Sequence, residues 1–86
     1  MTEENYEIIY SDLQTQIHRD GETIQIFIYR GHDTDWILEL EDELGNSTVW
    51  EDHFATDEAA LAEAINALNE EGIKAFVGER EERPLH

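Results

Sequence analysis

Residues 14–30, QTQIHRDGETIQIFIYR, carry the strongest structural signal in the chain, because an Asp-Gly pair separates two runs of alternating apolar and polar residues. Asp-Gly in this setting is typical of a β-hairpin with a two-residue turn. The apolar residues of both runs then share one face, which supports the register independently. The predicted cross-strand pairs are Arg19–Glu22, Ile17–Ile24, Thr15–Ile26 and Leu13–Ile28. The other face carries Gln16, His18, Thr23, Gln25, Phe27 and Tyr29.

A third strand is predicted at residues 36–42, WILELED, after the short loop GHDTD. If Arg30 opposes Trp36, the apolar face continues through Leu38 and Leu40, which meet Ile28 and Ile26. The alternation of a strand then sends the acidic residues to the opposite face. On that face Glu39 and Glu41 lie near Phe27 and Gln25, and Ile37 lies beside Tyr29.

Gly45-Asn46 marks the next turn, and two registers are compatible with it. A two-residue loop places Val49 on the apolar face, whereas a three-residue loop with a bulge places Trp50 there instead. The bulged version is favoured because it turns Trp50 and Phe54 inward. It also turns Asp52 inward unless the strand ends first.

A helix is predicted at residues 56–72, TDEAALAEAINALNEEG. Thr56 is a good N-cap residue, and the acidic pair after it suits the positive end of the helix dipole. Gly72 is typical of the residue that ends a helix in a left-handed conformation. Residues 73–77, IKAFV, are short enough for an edge strand or a docked extended segment. The apolar residues that recur at helical spacing are Leu61, Ala64, Ile65 and Leu68.

Together these elements predict an α+β fold, an antiparallel four-stranded β-meander with one C-terminal helix packed on one face. A short fifth strand after the helix would give the order β-β-β-β-α-β. Residues 1–86 are expected to form a single small domain with an ordered core of about residues 6–77 and flexible ends at 1–5 and 79–86. For the segment Tyr6–Tyr10, an extension of the first strand and a separate turn or helix both stay open. The helix is expected to cover the face of Ile24, Ile26, Ile28, Leu38 and Leu40.

Acidity is the strongest compositional feature, with 22 Asp and Glu against five Lys and Arg and a formal net charge of -17. This sign disfavours direct binding to nucleic acid or to an anionic membrane, and favours basic partners, cations or solubility alone. The first residues lack the features of a secretory signal, and no apolar run approaches a membrane span. A cytoplasmic location is therefore expected.

No catalytic or metal-binding pattern emerges from the residues. The chain has no Cys, and DTDWIL lacks the turn glycine of a calcium loop. Glu51 and His53 share a strand face, but nothing repeats that pairing, so the four His residues do not predict a metal site. The glycines are scattered, and no Ser lies in a nucleophile elbow. We therefore expect a non-enzymatic protein without cofactor or metal.

The sequence instead suggests an interaction surface on the sheet face opposite the helix. Apolar and acidic side chains mix there, which is typical of a protein contact patch. The expected partner is a second copy of the chain or a basic protein. The competing hypothesis is that Ile8, Ile9 and Tyr10, or the C-terminal tail, fold over this face and bury it. The candidate residues are Phe27, Tyr29, Ile37, Glu39 and Glu41.

Two other functions are compatible with the charge. The chain could imitate a phosphate ladder and occupy the site of a nucleic-acid-binding protein, provided that its carboxylates form an elongated stripe. Alternatively, the acidity serves only solubility or salt adaptation, in which case added salt should raise the melting temperature by screening self-repulsion.

Overall fold

The computed structural model describes residues 7–78, so the predicted flexible ends at 1–5 and 79–86, together with Tyr6, lie outside the described part of the chain. Within it, five strands form one antiparallel sheet, and one α-helix and one short 3-10 helix follow. The predicted α+β architecture is confirmed. The elements are β1 (Ile9–Tyr10), β2 (Thr15–Arg19), β3 (Glu22–Arg30), β4 (Ile37–Asp42), β5 (Ser47–Val49), α1 (Asp57–Glu71) and the 3-10 helix (Ile73–Phe76).

Strand β3 is the centre of the sheet. One of its edges pairs with β2 and then with β1, and its other edge pairs with β4, which in turn pairs with β5. Asp20 and Gly21 form the β2–β3 turn with φ of 51° and 77°, as the two-residue hairpin requires. The predicted register of both hairpins is confirmed. The confirming pairs are Arg19–Glu22, Ile17–Ile24, Thr15–Ile26, Ile26–Leu40 and Ile28–Leu38.

The predicted pair Leu13–Ile28 is wrong, because the edge strand is interrupted between β1 and β2. The Ser11 amide donates to the Ile28 carbonyl at 2.9 Å, and the Ile28 amide donates to the Gln14 side-chain oxygen at 2.9 Å. Leu13 lies in the turn between them and packs against the edge of the core. The Gln14 side-chain oxygen thus takes the place of a backbone carbonyl of the neighbouring strand. Residues 12–14 form a bulge beside Phe27. Ile9 and Tyr10 extend the edge beyond it, so the strand alternative is confirmed for these two residues.

The bulged register of the β4–β5 turn is also confirmed. The Asp42 amide donates to the Asn46 carbonyl at 2.9 Å, which closes a three-residue loop in which Gly45 has a φ of 90°. Trp50 therefore turns inward and stacks on Phe76, with ring centroids 6.1 Å apart. The strand ends at Val49, so Asp52 stays exposed.

Helix α1 covers one face of the sheet through its small residues. Thr56 caps the helix, its hydroxyl accepting a hydrogen bond of 3.1 Å from the Ala59 amide. Alanines at the centre of the contact let the helix lie close to the sheet, and Leu61 and Ile65 pack at its flank, half-buried. Burying each Ile or Leu of the sheet contributes about 1.5–3 kcal/mol. The buried core consists of Ile24, Ile26, Ile28, Leu38, Leu40, Ala60, Ala64, Leu68 and Ile73.

The segment after the helix is a 3-10 helix, so the predicted fifth strand is wrong. Gly72, with a φ of 87°, ends α1, and its amide still donates to the Leu68 carbonyl. The next backbone bonds are local, from Ala75 to Gly72 and from Val77 to Lys74. Ile73, the first residue of this short helix, enters the core at 2% exposure.

Asp42 joins the β4–β5 turn to the segment that follows the 3-10 helix. Its carboxylate is buried at 6% exposure and accepts hydrogen bonds from the amides of Leu44, Asn46 and Gly78, the last at 2.6 Å, and from the Asn46 side chain. Burial acts to raise the pKa of Asp42, but these hydrogen bonds outweigh it and hold the pKa below its ordinary value. Asp42 is therefore a buried carboxylate that stabilises the turn in its charged form.

Candidate interaction surface

The face of the sheet opposite α1, called the far face below, gathers the five residues that the sequence singled out. Tyr29 lies directly opposite Ile37, Phe27 opposite Glu39, and Gln25 opposite Glu41. Each of the five candidates is half-buried rather than covered. The far face thus combines apolar contact area with carboxylates in neighbouring rows. Its candidate residues are Phe27, Tyr29, Ile37, Glu39 and Glu41.

Three further residues extend the far face beyond this set. Tyr10 pairs with Tyr29 and is 58% exposed, with ring centroids 6.2 Å apart. Ile8 lies near it at 51% exposure, and Val49 lies opposite Glu39. The sequence suggested that Ile8, Ile9 and Tyr10, or the C-terminal tail, could bury this face. Ile8 and Tyr10 instead lie on it and remain exposed, and Ile9 pairs with Arg30 on the helix side. Residues 79–86 of the tail lie outside the described part of the chain. The place of Ile8 and Tyr10 follows from strand alternation once β1 is known, but a two-residue strand is too short to show a pattern.

Tyr29 and Glu39 form the central polar contact of the far face. The Tyr29 hydroxyl donates to Glu39 Oε1 at 2.8 Å. Burial, this hydrogen bond and repulsion from the Glu39 carboxylate together raise the pKa of Tyr29 to about 12. A phenol with that pKa keeps its proton at neutral pH and is a poor general acid or base. The Tyr29 hydroxyl therefore stays protonated at neutral pH and can donate to Glu39 there.

A shallow cavity of about 300 Å³ opens on the far face, and we call it the aromatic cavity. A second concavity, of about 530 Å³, runs along α1 beside Leu13, Leu61 and Ile65. Its walls are mainly aliphatic with one carboxylate, Glu58, at the side. The aromatic cavity is smaller, but it places three aromatic side chains and a carboxylate together. It is lined by Ile8, Tyr10, Phe27, Tyr29 and Glu39.

Positive charge is segregated to the other side of the sheet. Among residues 7–78, the Lys and Arg residues are Arg19, Arg30 and Lys74. Arg19 donates to Asn69 of α1 at 3.0 Å, and the Arg30 guanidinium lies 5.0 Å from the centroid of the Trp36 ring. Lys74 follows α1 and lies 3.8 Å from Glu22. All three belong to the helix side, so Glu39 and Glu41 face solvent without a neighbouring Lys or Arg from the described residues.

Two histidines of the described chain, His18 and His32, each contact a single partner. His18 Nδ1 is 2.8 Å from the Thr23 hydroxyl, and His32 Nε2 is 3.3 Å from Glu7. Within residues 7–78 no three His, Asp or Glu side chains are grouped so that they could hold a metal ion. No helix in the same range is long and apolar enough to cross a membrane.

The chain matches no protein-family model, and comparisons with curated proteins and with solved structures give no significant match. Any functional assignment therefore depends on the chemistry of the far face and its cavity.

Proposed function

We propose that this protein is a non-enzymatic interaction module that binds a basic segment of a partner protein through the far face. The observation that carries the proposal is the separation of the described Lys and Arg residues from the far face. Apolar and aromatic side chains lie beside Glu39 and Glu41, whereas the Lys and Arg residues of the described chain lie on the helix side. Such a surface attracts cationic side chains and offers apolar area for contact.

The same separation favours a basic partner over a second copy of the chain. Two far faces brought together would place Glu39 and Glu41 of one copy near those of the other. Like charges in an interface cost free energy, and the net charge of -17 adds long-range repulsion. A homodimer through this face would need a compensating contact, and none of the described residues supplies a cation on that side.

Mimicry of nucleic acid receives less support from the positions of the carboxylates. Acidic residues of the described chain occupy the far face, the end of α1 and the loops, as Glu39, Glu70 and Asp33 illustrate. A mimic of the nucleic-acid backbone would instead need carboxylates that follow one elongated stripe at a regular spacing.

Affinity isolation with matched charge variants tests the proposal. The far-face variant is Glu39→Lys/Glu41→Lys, and the control is Glu70→Lys/Glu71→Lys, which makes the same change in net charge at exposed helix positions. We expect a basic protein that the wild type and the control retain and that the far-face variant loses. The purified partner should then bind the wild type about tenfold or more tightly than the far-face variant, and more weakly at higher salt.

Equal retention by the two variants would overturn the proposal, provided that circular dichroism shows both variants folded. Light scattering behind a sizing column tests the alternative that a second copy of the chain occupies the far face. If the wild type is a dimer and the far-face variant is a monomer, the partner of the far face is a second copy of the chain and not a basic protein.

A further inference from the structure

The aromatic cavity lies on the far face next to the place where the edge strand is interrupted. Tyr10 pairs with Tyr29, and the ladder resumes only at Thr15, which pairs with Ile26. Between these pairs the chain forms the 12–14 bulge, so no edge-strand residue lies in the ladder opposite Phe27. The cavity of about 300 Å³ is lined by Phe27 and Tyr29 of β3 and by residues on both sides of them, Tyr10 and Glu39.

Three aromatic rings and one carboxylate form most of the wall. The Tyr10 and Tyr29 rings are tilted by 52° with centroids 6.2 Å apart, so they make a corner rather than a flat stack. Phe27 lies two residues from Tyr29 on the same strand face, and Glu39 lies directly opposite Phe27. The Glu39 carboxylate is thereby held beside the rings by the Tyr29 hydroxyl.

This combination favours a cation over a neutral apolar group of the same size. The face of an aromatic ring carries negative potential, so several rings around one site attract a positive charge. Glu39 adds a formal negative charge at the same place. An anion is disfavoured both locally and by the net charge of the chain.

The geometry also distinguishes between the two cationic side chains of proteins. A guanidinium binds a carboxylate best through two parallel hydrogen bonds, one to each oxygen. Glu39 Oε1 already accepts one hydrogen bond from Tyr29, which leaves a guanidinium only the second lone pair of that oxygen together with Oε2. A compact ammonium group needs only one oxygen and fits a corner between tilted rings.

We infer that the aromatic cavity binds the alkylammonium head group of a lysine side chain, free or methylated, in the basic segment of the partner. The inference deepens the proposed function and rests on it for the identity of the partner. The cavity itself is testable without any partner, because small ammonium compounds contain the same chemistry.

The probe is choline, compared with its neutral isostere dimethylbutanol, in which carbon replaces the nitrogen. Titration of isotopically labelled protein followed by nuclear magnetic resonance reports the rings of Tyr10, Phe27 and Tyr29. We expect choline to shift these resonances and to bind about fivefold or more tightly than dimethylbutanol, as a cation–π contact near a carboxylate predicts. Equal binding of the two compounds would overturn the inference, as would choline shifts confined to other parts of the protein.

Two variants with the same change in charge locate the site. Glu39→Gln keeps an acceptor for the Tyr29 hydroxyl but removes the charge, and we expect it to weaken choline binding about fivefold. Glu41→Gln removes a charge from the same face but not from the cavity lining, and we expect less than about a twofold effect. Equal effects of the two variants would show that choline responds to the overall negative charge of the far face and not to a site at Glu39. That result would overturn the inference.

A lysine-rich peptide and an arginine-rich peptide of equal length separate this inference from the proposed function. If both peptides bind the far face equally well and choline does not bind, the lysine preference is wrong and the interaction module stands. If choline binds in the cavity but neither peptide binds the far face, the ammonium site stands and the proposed protein partner is wrong.

Discussion

Tyr29 on β3 and Glu39 on β4 are diagonal neighbours on the far face, joined by a hydrogen bond of 2.8 Å from the phenol to the carboxylate. The contact fixes the orientation of both side chains in the aromatic cavity. It also couples the titration of the phenol to the charge of the carboxylate. The central polar pair of the candidate site can therefore be observed directly through the pKa of Tyr29.

We predict that Tyr29 titrates near pH 12 in the wild type and at a lower pH in the Glu39→Gln variant. Burial is the largest cause of the raised pKa, followed by the hydrogen bond to Glu39 and repulsion from its carboxylate. The variant removes the repulsion but not the burial, so the pKa should fall only part of the way toward 10. Carbon resonances of the labelled tyrosine rings, followed against pH, measure it.

The pair also has a consequence for stability at high pH. A folded-state pKa above the unfolded value means that the contribution is fully present below about pH 10 and is lost as the pH rises toward 12. For the titration of Tyr29, Glu41→Gln serves as the control. Glu41 lies opposite Gln25 and is not a cause of the shift in the pKa of Tyr29. A wild-type Tyr29 that titrates near 10, or one that responds equally to both variants, would contradict the prediction.

Asp42 supplies a second prediction, on stability at low pH. Asp42→Asn should lower the free energy of unfolding at pH 7 by about 2–3 kcal/mol, because a buried carboxylate that accepts several hydrogen bonds is lost. The folded pKa is lowered, so its contribution is complete above the unfolded value of 3.8 and disappears as the pH falls through the folded value. Urea unfolding of both proteins between pH 7 and acid should show the difference between them shrinking below about pH 4.

The exposed Asp52 provides the matched control for this measurement. Asp52→Asn makes the same change in net charge, so it corrects for the relief of self-repulsion in so acidic a chain. We expect it to change the free energy of unfolding by less than about 0.5 kcal/mol. A difference between the wild type and Asp42→Asn that stays constant at every pH would show that the hydrogen bonds do not depend on the charged carboxylate.

Gly78 and Asn46 should show strong coupling in a double-mutant cycle. A Cβ at Gly78 would overlap the Asn46 side chain, which Asp42 holds in place by a hydrogen bond of 3.1 Å. Gly78→Ala should therefore cost about 1–2 kcal/mol, and less when Asn46→Ala has already removed the obstacle. Chemical unfolding of the four proteins measures the coupling. Additive effects would mean that the chain after the 3-10 helix moves freely to admit the methyl group.

Much of the sheet could be predicted because its signals are local. Asp20-Gly21 set the first turn, and the inward preference of Trp50 and Phe54 identified the bulged second turn. The error at Leu13 arises where polar side chains bond to a distant backbone or element. Gln14 replaces the strand partner of Ile28, and Ser11 donates to Asp57 at the start of α1, 46 residues away. No periodic pattern encodes such contacts.

The candidate site likewise has features that the sequence predicts and features that it does not. Alternation along β3 and β4 predicted which side chains share the far face, and the register places them there. The cavity could not be predicted, because it depends on the pairing of Tyr10 with Tyr29 in the short strand β1. A two-residue strand leaves little trace in a sequence pattern.

The hydrogen bond to Gln14 can be tested by hydrogen exchange at its donor, the Ile28 amide. Gln14→Met keeps the length of the side chain but removes the oxygen that accepts from the Ile28 amide. Ile28 is fully buried, so its amide would lose its partner at a cost of about 1–3 kcal/mol. Hydrogen exchange at Ile28 should accelerate by about tenfold or more if the bulge opens locally.

Gln16→Met is the matched control, since Gln16 is an exposed residue within the regular ladder of β2. We expect it to leave exchange at Ile28 within about twofold of the wild type, because no bond to that amide is removed. Because the bulge lies next to Phe27 in the register of the sheet, Gln14→Met should shift the Phe27 ring resonances as well. Unchanged exchange at Ile28 in Gln14→Met would show that a neighbouring backbone carbonyl, rather than the Gln14 side chain, satisfies this amide in solution.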